Sequence, residues 1–110
     1  NMARYREIFF RTHPSNHGWY YCKYCGKALR AKDLDVDHEM PRFRGGTDDP
    51  NNLTAACPHC NRSKGFLTPD EFELWLEDQM FREEDRFIED CDKYGEDAAL
   101  NRAIRRICRG

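Results

Sequence analysis

Two cysteine pairs, Cys22-x-x-Cys25 and Cys57-x-x-Cys60, bracket a segment that holds Asp37-His38, Asn52 and Asn61. Two residues between cysteines let both sulfurs turn onto one ion at about 2.3 Å, and two such pairs complete a tetrahedron. The spacing therefore predicts a zinc site made of Cys22, Cys25, Cys57 and Cys60. Four thiolates leave no open position, so a zinc held this way is structural rather than catalytic. His59 lies within the second pair, but the four sulfurs already close the site. Between the pairs, the His38 imidazole can take a proton from water. A carboxylate such as Asp37, together with an amide oxygen, makes a hard donor set suited to magnesium or manganese. Phosphodiester hydrolysis needs this combination of an activated water and a cation near developing negative charge. Adjacent residues of a strand point to opposite faces, so Asp37 and His38 cooperate only at an irregular strand end or at its rim.

The elements that must position these groups follow from pattern and punctuation. Residues 2–11 place Tyr5, Ile8 and Phe9 at helical spacing, and His13-Pro14 ends that run. Residues 19–21 read as a short aromatic strand leading into the first knuckle, and Gly26 follows it as a tight turn requires. Residues 34–38 alternate as a strand with Leu34, Val36 and His38 on one side. Residues 41–52 are a loop, residues 53–56 a second strand, and residues 57–64 a helix that stops at Gly65. Thr68-Pro69-Asp70-Glu71 predicts a helix start with a capping box. Phe72, Trp75, Leu76 and Met80 form an apolar stripe, resumed by Phe87, Ile88 and Cys91 after a break within residues 82–86. Beyond Tyr94-Gly95, a last helix sets Leu100, Ile104 and Ile107 on one side and arginines around the rest. Cys91 and Cys108 fall on these stripes and read as buried free thiols.

With 110 residues, one domain with a modest core is expected, with its motif over residues 19–66 and a helical extension over residues 68–110. Charged residues make up 35% of the chain, a polar balance in which a metal staple supports folding. No apolar run approaches the roughly 18 residues of a membrane span. Residues 2–11 are charged throughout, unlike a signal peptide, so a cytoplasmic location with reduced thiols is expected and metal is preferred over disulfides. The net charge of -2 conceals three blocks: +4 over residues 1–67, -10 over residues 68–97 and +4 over residues 98–110. Only the outer blocks suit a polyanion, and the acidic middle is expected to face away from one.

Across residues 22–65, the order and spacing of these motifs resemble the HNH endonuclease family, built on a ββα-metal motif. The resemblance rests on the first knuckle, Asp37-His38, Pro41, Gly45-Gly46, Asp49-Pro50-Asn51-Asn52-Leu53, and Cys57-Pro58-His59-Cys60-Asn61-Arg62-Ser63-Lys64. It implies an α+β fold in which a small zinc-stapled ββα unit is flanked by helices at both ends. It implies that His38 is the general base, that Asp37 and Asn61 hold a catalytic magnesium or manganese ion, and that Asn52 braces the loop orienting His38. Many members carry histidine at the last position; this chain looks like the H-N-N variant, familiar from the HNH domain of RNA-guided nucleases. The implied activity is single-metal hydrolysis of DNA, with RNA also open as substrate, leaving 5′-phosphate and 3′-hydroxyl ends.

Arg42, Arg44, Arg62 and Lys64 surround the expected site and suit phosphate contacts, although any one of them reads equally well as a solvated surface group. His13 and His17 read as turn residues. The carboxyl-terminal arginines suit either DNA or the acidic helices. The rival reading is a non-catalytic zinc ribbon that binds nucleic acid or protein, for which the cysteines matter and Asp37, His38 and Asn61 do not.

Overall fold

The computed structural model describes residues 2–109, and its order is α1 (Met2–Thr12), β1 (Tyr20–Tyr21), β2 (Ala28–Leu29), β3 (Asp35–His38), β4 (Leu53–Ala56), α2 (Pro58–Lys64), α3 (Pro69–Phe81), α4 (Glu84–Tyr94) and α5 (Glu96–Arg109). This is the expected α+β architecture. β3 and β4 pair antiparallel with Asp35 opposite Ala56 and His38 opposite Leu53, and α2 follows directly to complete a ββα unit. The loop between the two strands is not featureless: single 3₁₀ turns form at Arg42–Arg44 and Pro50–Asn52. β2 was not expected. It pairs with β1, Tyr20 against Leu29, so that the first knuckle is the tip of a two-strand ribbon.

Local signals account for most boundaries. Cys57 caps α2 by accepting the Cys60 amide, Pro58 occupies the first turn, and the Gly65 amide closes back on Asn61. At α3 both halves of the capping box form: Thr68 accepts the Glu71 amide, and the Glu71 side chain accepts the Thr68 amide.

The core gathers Phe9 from α1, Leu29, Val36, Leu53, Ala55 and Ala56 from the sheets, Leu34 just before β3, the four knuckle cysteines, Phe72 from α3, and Ile104 and Cys108 from α5. Fully burying a side chain the size of Leu53 or Phe72 contributes about 1.5–3 kcal/mol each, so the core is real but small. Three expectations about the helical extension are corrected. Leu100 and Ile88 are exposed, and Cys91 is only half-buried. α5 instead buries the small residues Ala99 and Ala103 with Ile104 and Cys108, which lets the helices approach closely. The contact with α4 is ionic: Arg106 donates to Asp90 (2.8 Å) and to Glu83 (2.8 Å). Those carboxylates hold the Arg106 guanidinium in its charged form, so this arginine is committed within the fold. Among the described residues, no helix is long and apolar enough to cross a membrane.

Candidate functional site

Ligand atoms of Cys22, Cys25, Cys57 and Cys60 lie within 4.8 Å of one another, and all four side chains are buried. Cys25 Sγ and Cys57 Sγ are 3.8 Å apart, the separation expected for two sulfurs at about 2.3 Å from one tetrahedral ion. Thiols this crowded must share protons. Contact with Cys25 pushes the Cys22 thiol up to about 11, and the same contact pulls Cys25 far below the ordinary thiol range. A dication suits such a set, because it stabilises all four thiolates together. The donors therefore fit zinc. The cluster joins the β1–β2 ribbon to the start of α2, which fixes the helix against β3.

α2 meets β3 through two polar pairs. Asn61 Nδ2 donates to Asp35 Oδ2 (3.1 Å), and one turn on, Lys64 Nζ donates to Asp37 Oδ1 (3.3 Å) and to the His38 carbonyl (3.1 Å). The Lys64 side chain is 0% exposed and that of Asp37 7%. The Tyr24 hydroxyl donates to the other Asp37 oxygen (2.5 Å). Burial raises the Asp37 carboxyl above its ordinary value, against the opposing pull of Tyr24 and Lys64. Burial also raises the Tyr24 phenol, with the Asp37 charge as the next cause, so Tyr24 keeps its proton and remains a donor.

His38 faces the other way at the strand end. Its ring meets the Tyr5 ring edge-on, with centroids 4.5 Å apart, and its Nε2 lies 2.8 Å from Asp48 Oδ1. The His38 hydrogen bond holds the Asp48 carboxyl below its usual range. An ionised carboxylate can only accept, so a neutral His38 donates from Nε2 and keeps its Nδ1 lone pair free. Asp37, His38 and Asn61 nevertheless line one open cleft of about 350 Å³, together with Tyr5, Arg42, Phe43 and Phe66. The strand end thus brings the two neighbours to one space, as their cooperation requires.

Asn52 ties the loop to this strand end. Its Oδ1 accepts the Met40 amide (2.8 Å), and its Nδ2 donates to the carbonyls of Met40 (3.0 Å) and Thr47 (2.9 Å). Gly46 lies so close that a Cβ there would stand 1.7 Å from the Met40 carbonyl oxygen.

Residues 22–66 match the family described as HNH endonuclease. They form an HNH endonuclease domain. The chain is also similar to a CRISPR-associated endonuclease Cas9 of Corynebacterium diphtheriae, 42% identical over 55 residues, which are 49% of this chain and 5% of that protein. The chain thus spans a small fraction of the length of that relative.

Within this HNH domain, the four basic residues expected at phosphates take different places. Arg42 and Arg62 are exposed. Arg44 is engaged: it donates to both Glu71 oxygens (2.8 and 3.1 Å) and to the Phe66 carbonyl (3.3 Å). This pairing holds the Glu71 carboxyl down at about 2 and shows that the acidic block touches the basic loop at its first turn. Lys64 does not meet the surface expectation, because its ammonium is buried beneath Asp37. Asn61 sits inside α2 with Asp35, rather than Asp37, as its direct partner. Asp35, Tyr24 and Asp48 were missed as site residues. The alternation Asp35-x-Asp37 was a usable signal for the first; nothing local in the sequence marked the other two.

Proposed function

We propose that this HNH domain is a metal-dependent endonuclease that hydrolyses phosphodiester bonds of DNA, with His38 as general base. The observation that carries this reading is the convergence of Asp37, His38 and Asn61 on one cleft, with the Nδ1 of His38 left as its proton acceptor. Asp48 fixes the tautomer, Tyr5 packs the ring, and Asn52 braces the strand end from which His38 projects. His38 takes a proton from a water at Nδ1 as that water attacks phosphorus; the P–O3′ bond breaks, the departing 3′-oxygen takes up a proton from solvent to become the 3′-hydroxyl, and Asp48 stabilises the imidazolium until it returns its proton to solvent.

Asp37 and Asn61 would hold the catalytic divalent ion, with Asp35 beside Asn61 as a further hard oxygen. The hydrogen bond of Asn61 uses its amide nitrogen, which leaves its carbonyl oxygen for a cation. All three donors are oxygens, a set suited to magnesium or manganese. Such an ion supplies positive charge where negative charge develops on the phosphate. Tyr24 and Lys64 keep Asp37 oriented and allow a buried carboxylate to carry its charge. The exposed Arg42 and Arg62 suit the substrate backbone.

The test is metal-dependent cleavage of plasmid DNA by the intact chain. His38→Ala should lower the rate about 100- to 10,000-fold, the usual contribution of a general base, with zinc content unchanged. Asp48→Asn should retain part of the activity, because an amide still holds the ring but stabilises the imidazolium less. Full activity in His38→Ala would reject the assignment, and no cleavage by the parent with either metal would favour a non-catalytic zinc ribbon.

A further inference from the structure

Two apolar rings that line the cleft stay exposed among the described residues. Phe43 is 85% exposed and Phe66 72% exposed, and both line the same cleft as Asp37, His38 and Asn61. They come from separate segments, the Arg42–Arg44 turn and the residue after the Gly65 stop of α2, yet their centroids are 5.7 Å apart at 39°. A side-chain bridge spans this juxtaposition. The Arg44 guanidinium beside Phe43 reaches across to the Phe66 carbonyl and to Glu71, linking both segments to the start of α3.

We propose that Phe43 and Phe66 are a stacking platform for an unpaired base of the nucleic-acid strand entering the cleft. The proposal rests on the nuclease reading and names a preferred substrate form for it. Aromatic side chains beside cationic ones bind single strands because every base has a π-face; here Arg42 is the exposed cation adjacent to Phe43. A protein seated on the rings would cover His38 and Asn61, which an active hydrolytic site does not permit. A duplex hides its base faces by stacking within itself. The gap between the rings is also too narrow for a base, which needs about 7 Å, twice the roughly 3.4 Å stacking spacing. The outer ring faces are therefore the binding surface, and they suit a base that is unstacked or at a strand end.

The experiment measures binding by the His38→Ala chain, with calcium in place of the catalytic metal, to a single-stranded oligonucleotide, the same sequence as a duplex, and an abasic strand of equal length. Adding Phe43→Ala and Phe66→Ala should weaken single-strand binding roughly 5- to 150-fold. The abasic strand should be bound as before, the salt dependence should not change, and Phe43→Trp should retain affinity. Both rings are exposed, so zinc content and helicity should stay at parent values. Equal loss on the abasic strand or on the duplex would overturn the proposal. So would an unchanged single-strand affinity, which would leave the rings to a protein partner. A His38→Ala chain that binds none of the three nucleic acids would overturn both this and the nuclease reading, whereas refutation of the platform alone leaves metal-dependent plasmid cleavage by the parent chain as the separate test of the nuclease reading.

Discussion

Replacing Lys64 with methionine isolates the most demanding interaction in the domain. Methionine keeps an unbranched chain in the fully buried channel but removes the ammonium that donates to Asp37 and to the His38 carbonyl. Removing one partner of a buried pair costs about 3–5 kcal/mol, because the other charge stays buried without compensation. Tyr24 still donates to Asp37 in the variant, so the lower end, about 3 kcal/mol, is expected. That is a large part of the roughly 5–15 kcal/mol of a small domain. Urea unfolding at saturating zinc measures it as a lowered midpoint at constant slope. The deficit should depend on pH. Burial already places the folded Asp37 carboxyl above its ordinary value, and losing Lys64 removes two causes that pull it down. The folded variant therefore binds a proton at Asp37 more readily than the unfolded chain does, so its stability recovers as pH falls and worsens as pH rises. Adding Asp37→Asn to Lys64→Met should restore about 2 kcal/mol, since no buried charge then remains. A deficit below about 1 kcal/mol, the level of a surface pair, would refute the reasoning, as would one that grows in acid.

Two further outcomes test the frame. The intact chain should bind one zinc, and stripping it with a strong chelator, or changing Cys60 to serine, should collapse the circular-dichroism signal and expose the core; a folded chain free of zinc would refute the staple. Gly46→Ala should abolish cleavage and destabilise the loop, because its Cβ would meet the Met40 carbonyl backbone at 1.7 Å; normal cleavage by a correctly folded variant would show that this close approach is dispensable.

The clustering of the four cysteines and the α3 capping box were legible because their signals are local: a fixed spacing, or a cap and its partner three residues on. Strand β3 was legible from its alternation, and its pairing with β4 follows from the short strand before the second knuckle. The fate of Lys64 was not legible, since it depends on registering a helix against a strand. Asn61 to Lys64 advances about 4.5 Å along a helix and Asp35 to Asp37 about 6.6 Å along a strand, and neither segment alone tells that the two repeats align at Asn61–Asp35 and Lys64–Asp37. Asp48 was read as part of a polar loop, where sequence does not say which carboxylate turns inward. The apolar pattern of α5 misled at Leu100, because close helix packing favours Ala99 and Ala103 over the larger side chain. Arg44 shows the same limit: its neighbour in space, Glu71, lies 27 residues away.

α2 is gripped from three directions. The thiol cluster holds its first turn, β3 holds Asn61 and Lys64, and α5 reaches it through Ser63, whose hydroxyl donates to the Cys108 carbonyl (3.2 Å). The neighbouring Cys60 pulls the Cys108 thiol below its ordinary value. The end of the chain and the metal-binding centre thus act on one seven-residue lever. Thermodynamic reciprocity would then apply to an ion held there: by whatever factor it tightened the docking of α5, docking of α5 would tighten the hold on the ion. With an ion in the cluster, a helix far along the sequence from the cleft would in this sense be a co-ligand in energy though not in coordination.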